Sequence, residues 1–219
     1  MGNIIDDIRA NEDTFADRPF NEVDSLALAQ LSYARMPVNV PRLDAEATDV
    51  DLAMVGVRDL LRAECYDDMF GKVWSPSMNV DLLRAMCESP RWRDLRVGGY
   101  VDEFDPETTK QFSACVFDVG DGSSYVAFRG TDSTIVGWKE DFAMAFRRPV
   151  AAQESAARYL ADIAGLRDGP LMVGGHSKGG NLAVYAAANA PAAVQERLIA
   201  VFCHDGPGFD ADFFDTPGY

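Results

Sequence analysis

The stretch Val173-Gly174-Gly175-His176-Ser177-Lys178-Gly179-Gly180-Asn181-Leu182-Ala183-Val184-Tyr185-Ala186-Ala187 decides how this chain is read. A short apolar run, Leu171 to Val173, enters it, and a helix-forming run leaves it. Glycine stands two positions to either side of Ser177, so Gly175 to Gly179 reads G-x-S-x-G between a strand and a helix. A serine at so sharp a turn takes a strained backbone conformation. Side chains two positions away would collide with the neighbouring strand and helix, which makes Gly175 and Gly179 necessary. The turn lifts the hydroxyl above the sheet and sets it at a helix N-terminus. There the free N–H groups and the helix dipole favour an anion, and the N–H of Lys178 points at a developing oxyanion. The same glycines would also suit a turn built for packing alone. A P-loop is excluded by order, since Lys178 precedes its glycines. A dinucleotide fingerprint is excluded because neither Gly174 nor Gly175 has glycine two positions on.

Outward from this turn the chain reads as α/β. "PLMVGG" before it and "LIAVFCHDG" after its helix are short apolar strands, which implies parallel strands covered on both faces. Upstream, "LRVGGYVDEF", "QFSACVFDV" and "SSYVAFRG" are β-rich runs separated by "DPETTK" and "GDGS". The Asp-Gly turn signal predicts antiparallel pairing there. Helices are expected over "VGWKEDFAMAF" and "AAQESAARYLADIAG". In the first part of the chain, "NEVDSLALAQLSYARM" predicts a helix capped by Asn21. Asp49 to Ala63 predicts a second, and Pro76 to Glu88 a third capped by Ser75. Residues 1–20, polar and carrying Pro19, are expected as a loose arm. One domain over residues 21–219 follows, with N-terminal helices at 21–90 and a sheet core at 91–219.

A second motif lies upstream. The strand Tyr125 to Phe128 runs into Arg129-Gly130-Thr131-Asp132, with Trp138 further on. Phe128-Arg129-Gly130-Thr131, the later Trp138 and a downstream G-H-S-x-G resemble the class 3 (fungal-type) lipases of the α/β-hydrolase fold. More narrowly, "FRGTDSTIVGWKEDFAMAF", "GGHSKGGNLAVYAA", "HDGPGF" and the opening "FNEVDSLALAQLSYARMP" resemble a bacterial group of lipase-like α/β-hydrolases, DUF2974. The likeness runs from about Phe20 to Phe209. It implies that Thr131 holds the oxyanion-hole position, its N–H and hydroxyl joining the N–H of Lys178, while Gly130 lets the backbone approach. The residues alone read Arg129 as the member of an ion pair with a nearby acid (Asp132, Glu140 or Asp141) more than as a substrate contact. Trp138 reads as core more than as a shelf for substrate.

Acyl transfer by serine needs a base and a group to orient it. Only two histidines exist. His176 adjoins Ser177 inside the turn, and its ring should diverge from the hydroxyl. His204 ends the strand after the turn helix and could line the pocket, but it leaves no room for an intervening acid. Asp205 beside it is better placed as an acid or pocket residue. A complete α/β-hydrolase sheet continues beyond such a strand. The chain is therefore expected to lack its C-terminal part, with the base lying in the remaining part of the same protein. Two other readings stay open: a pseudoenzyme that keeps the turn for binding, and a serine–lysine pair using Lys178.

The composition is compatible with this. Of 219 residues, 20 are lysine or arginine and 35 are aspartate or glutamate, a formal charge of −15. A surface that acidic disfavours nucleic acid and anionic membranes as partners. No basic-then-apolar opening marks a secretory signal, and no run reaches a membrane span. A cytoplasmic protein is expected, with no cofactor and no metal. Cys65, Cys87, Cys115 and Cys203 are scattered, a pattern that favours reduced, buried thiols over disulfides or metal ligands. The expected function is a serine hydrolase acting on a small-molecule acyl ester or lipid-like substrate, possible bonds being ester, thioester or amide. The alternative is a non-catalytic binding module.

Overall fold

The computed structural model describes residues 2–44, 52–131, 137, 140, 144 and 149–219. The β-rich runs of the middle of the chain form strands β2 (Arg96–Asp105), β3 (Lys110–Asp118) and β4 (Ser124–Phe128). They pair antiparallel through tight connections. Asp105 accepts from the Glu107 N–H at the first connection. At the second, Gly120 and Gly122 take φ near +88° and +89°, values that glycine adopts without strain. A short strand β1 (Met54–Gly56) precedes them. Strands β5 (Leu171–His176) and β6 (Leu198–His204) follow them. The six strands form one mixed sheet in chain order, β1 to β4 antiparallel and β4 to β6 parallel.

Helices cover both faces. On one face lie α1 (Ile4–Ala10), α2 (Glu22–Leu31), α3 (Tyr66–Phe70) and α4 (Pro76–Glu88), which bury Leu28, Leu31, Leu83 and Met86 against Phe117, Tyr125 and Met172. On the other lie α5 (Ala151–Leu166), α6 (Lys178–Ala188) and the short α7 (Ala192–Gln195). They bury Leu160, Ile163 and Leu182 against Val126, Phe128 and Val173. This is a mixed α/β architecture with helices flanking a six-stranded sheet. No helix of the described residues is long and apolar enough to cross a membrane.

Four expectations are corrected. Within the arm expected over residues 1–20, residues 2–20 are not loose: α1 is closed by a capping box between Asn3 and Asp6, and Ile5, Ile8 and Phe15 are buried. The cause is Arg91, itself buried. Its guanidinium donates to both Asp24 oxygens, at 2.9 and 2.5 Å, and to the carbonyls of Asp13, Thr14, Arg18 and Pro19. It also lies 3.9 Å from the centre of the Phe15 ring. Asp24 in turn accepts from the Asn21 N–H in the capping box of α2, so one carboxylate both starts a helix and anchors the segment before it. Second, Asp49–Ala63 is not a helix. Asp49 to Asp51 lie outside the described residues, Met54–Gly56 is β1, and Val57–Leu60 is a 3-10 turn. Edge pairing with β2 overrides the helical spacing. Third, Ser75 precedes α4 with φ +53° and makes no side-chain cap; Asn79 donates to the Trp74 and Ser75 carbonyls instead. Fourth, β6 is covered on one face only, since Ile199 is 63% and Val201 42% exposed. All four cysteines are free thiols, with Cys115 buried and Cys203 exposed.

The Arg91–Asp24 pair carries the first prediction. Removing one partner of a buried pair strands the other charge, which costs about 3–5 kcal/mol. Urea unfolding of Arg91→Met is expected to show a loss of that order. A loss below about 0.5 kcal/mol, typical of a surface change, would contradict it.

Candidate active site

The backbone sets the geometry. β5 runs to His176, Ser177 turns with φ +55° and ψ −129°, and α6 begins at Lys178. A left-handed serine costs on the order of 1–3 kcal/mol unless its surroundings fix it. Here they do. The Ser177 N–H donates to the His204 carbonyl at 2.9 Å, and the Ser177 carbonyl accepts from Gly180 at 2.9 Å. A side chain at Gly175 would place its Cβ 2.4 Å from Gly179 and 2.6 Å from the Phe128 carbonyl oxygen. One at Gly179 would lie 2.1 Å from that same oxygen. A Cβ at Gly130 would stand 2.6 Å from the His176 carbonyl oxygen and 2.0 Å from the Tyr33 hydroxyl. The Phe128–Gly130 backbone is therefore wedged against both flanks of the turn, and Thr131 follows directly. Among the described residues the buried Thr131 hydroxyl oxygen has no hydrogen-bond partner. The Ser177 residue is half-buried.

Lys178 contributes its backbone to this place and its side chain to another. The ammonium is fully buried. It donates to the Gln111 carbonyl at 2.6 Å, the Gln111 side-chain oxygen at 2.7 Å and Glu140 at 3.0 Å. Glu140, 2% exposed, also accepts from the N–H groups of Gln111 and Ala152, each at 3.0 Å. The pair joins β3, the start of α5 and the first turn of α6. A serine–lysine base is corrected accordingly: all three ammonium protons have partners beneath the turn. Arg129 is ion-paired, but with Asp102 at 2.8 Å. Of the acids expected for it, Glu140 serves Lys178, while Asp132 and Asp141 lie outside the described residues, as does Trp138.

Both histidines turn to the α2 face. His176 and His204 are register partners on β5 and β6. His176 Nδ1 meets the Tyr33 hydroxyl at 2.9 Å. His204 Nε2 meets Ser25 Oγ at 2.9 Å, and Ser25 Oγ meets the Tyr125 hydroxyl at 2.8 Å. Burial, and then the neighbouring His176, holds the His204 pKa below the usual histidine range. Burial pushes the Tyr125 phenol up, so it stays a neutral hydrogen-bonding group. Asp205 is exposed, takes φ +53°, and bonds neither imidazole. Among the described residues no side chain hydrogen-bonds the Ser177 hydroxyl, and no group of three or more His, Cys, Asp or Glu could hold a metal ion. The structure thus brings Gly130, Gly175 and Gly179 together around Ser177 and carries Thr131 there. Among the described residues no hydrogen bond joins His176, His204 or Asp205 to the hydroxyl.

Sequence reasoning missed Ser25, Tyr33, Gln111 and the role of Glu140. Only the last had a signal: a lysine opening an otherwise apolar helix needs a buried acid, and Glu140 sits in an apolar helical pattern.

Two predictions follow from this geometry. Gly179→Ala should cost more than about 2 kcal/mol or prevent folding, because its neighbours are backbone and cannot yield. Gly165→Ala on open α5 surface should instead stabilise by roughly 0.5–1 kcal/mol; thermal melts compare the two. His204 binds its proton less readily folded than unfolded. Its contribution to stability is therefore present above the ordinary histidine pKa and is lost as pH falls from there through the lowered folded-state pKa. His204→Gln should flatten that slope in urea titrations at several pH values, and an unchanged slope would contradict the assignment.

A family model described as Mbeg1-like matches residues 86–219, more than half of the chain. No curated protein and no solved structure matches it. The resemblance to DUF2974 is corrected by this finding, because the matching family carries a different description. The matched span holds every residue of the turn, both histidines and the Arg129–Thr131 segment. By its sequence, and with the turn at Ser177 inside the matched region, the chain belongs to the Mbeg1-like family.

Proposed function

We propose that this protein is a serine hydrolase of α/β-hydrolase type that cleaves a carboxylic ester, thioester or amide. Ser177 Oγ bonds to the carbonyl carbon, the carbonyl electron pair moves onto oxygen, and the serine proton passes to a base. Collapse expels the leaving group and leaves an acyl-serine, which water then hydrolyses. The N–H groups of Lys178 and Thr131, with the Thr131 hydroxyl, are the donors for the oxyanion. Among the described residues no base contacts the Ser177 hydroxyl: His176 Nδ1 and His204 Nε2 bond Tyr33 and Ser25 instead.

The single observation that carries this reading is the Thr131 hydroxyl. An unpaired buried donor costs about 1–3 kcal/mol, and it stands one residue beyond the glycine wedged against the Ser177 turn. Such a donor is tolerated where a developing charge needs it. The rival reading, a module that binds an anion at the α6 N-terminus without chemistry, draws on the lack of a base beside Ser177.

A fluorophosphonate probe on the intact protein separates the two. Labelling should map to Ser177 and vanish in Ser177→Ala. Thr131→Val should slow labelling by about ten-fold or more while leaving the melting temperature equal or higher, because a stranded hydroxyl is removed. No labelling of the intact protein would favour the binding module.

A further inference from the structure

A hollow of about 260 Å3 lies where α1, α2 and α4 meet, lined among others by Ile4, Ile5, Trp74, Met78 and Leu82. None of its lining residues carries a charge, in a chain of which 25% of the residues do. Two of them are large apolar side chains left in solvent: Trp74 is 70% and Met78 50% exposed. One exposed apolar side chain is ordinary, but two beside the same concave apolar space mark a place where something binds. The rim is fixed in advance. Gln30 Nε2 of α2 donates to Asn79 Oδ1 of α4 at 2.8 Å, and Asn79 Nδ2 donates to the carbonyls of Trp74 and Ser75 at 2.8 and 3.1 Å. Asn79 is buried, so this network pins the backbone that carries Trp74 and keeps Ser75 at its positive φ.

The same bonds define the ligand. Gln30 and Asn79 pair with each other, and Asn3 Oδ1 is taken by the N–H groups of Ile5 and Asp6 in the cap of α1. Among the described residues no buried side-chain polar atom of this lining lacks a partner. A charged ligand would lose hydration here and find no opposite charge. Trp74 offers an indole face, which a flat ring prefers, and Met78 a polarisable sulfur that favours ring edges. The volume holds about nine water-sized groups, just below the roughly 300–1,000 Å3 of ordinary ligand pockets, which is too little for a helix of a partner protein. We propose that this hollow binds a small, uncharged, flat aromatic molecule, held between Trp74 and Met78 over a floor of Ile5 and Leu82. The site does not rest on Ser177 as nucleophile.

The test titrates the whole chain with 2-naphthol, which is uncharged at neutral pH, and separately with 2-naphthalenesulfonate and 1-octanol, read by calorimetry. Saturable binding of 2-naphthol is expected, with the sulfonate at least about ten-fold weaker and octanol weaker as well. Trp74→Ala should weaken 2-naphthol binding by roughly two- to ten-fold. Met78→Glu, which sets a charge against the ring, should weaken it by at least about ten-fold. Both variants should keep the melting temperature, since both side chains are exposed. No saturable binding of 2-naphthol, sulfonate binding as tight, or an affinity that either variant leaves unchanged overturns the site. Tighter binding of octanol than of 2-naphthol overturns its assignment to a flat ring.

Discussion

The constraint on which the rest depends is the contact between two backbones: the Phe128–Gly130 segment leaving β4 and the turn through Ser177. Gly175, Gly179 and Gly130 exist as glycines because each faces a carbonyl or hydroxyl closer than any side chain allows. That contact holds Ser177 at positive φ, aligns the end of β4 with the end of β5, and carries Thr131 beside the turn. Parallel pairing of β4, β5 and β6 supplies the frame. Burial of β4 on both faces leaves it little freedom to relax.

Three buried cations tie this frame to its surroundings, each with one acid. Arg91 and Asp24 hold the N-terminal segment to α2, Arg129 and Asp102 join the end of β4 to β2, and Lys178 and Glu140 lock the first turn of α6. Such pairs are weak sources of net stability. They act as registration points: each fails badly when one partner is lost, and each sits where two layers must meet in one arrangement. A chain that is acidic overall thus keeps several of its cations inside or around the proposed site, where they shape the local field most.

Much of the sheet was legible because its signals are local. Turn residues between β2, β3 and β4 carry their own conformational preference, and the glycines around Ser177 announce a steric limit. The helix after Asn21 was legible through its cap. The features that escaped depend on distant partners. The segment after α1, from Asp13 to Pro19, is held by an arginine more than seventy residues away, which no window of sequence reveals. β1 is a three-residue strand that exists because β2 offers an edge. The fate of the Lys178 side chain depends on Gln111 and Glu140. The fates of the two histidines depend on Tyr33 and Ser25, hydroxyls on and just after α2 that nothing in their own neighbourhood marks. For the site, the turn could be read from its residue types, and the lack of a histidine placed to serve Ser177 could be expected from the two histidine positions; where those rings go instead could be seen only in three dimensions.

The central claim is that the Ser177 hydroxyl faces the N–H groups of Thr131 and Lys178 across a shared space. A crystal structure of the intact protein after reaction with an alkyl fluorophosphonate tests it most directly. The account predicts a covalent adduct on Ser177 Oγ with its phosphoryl oxygen about 2.7–3.1 Å from both N–H nitrogens. An adduct whose oxygen points away from Thr131, or a Ser177 left unmodified with its turn intact, would contradict it.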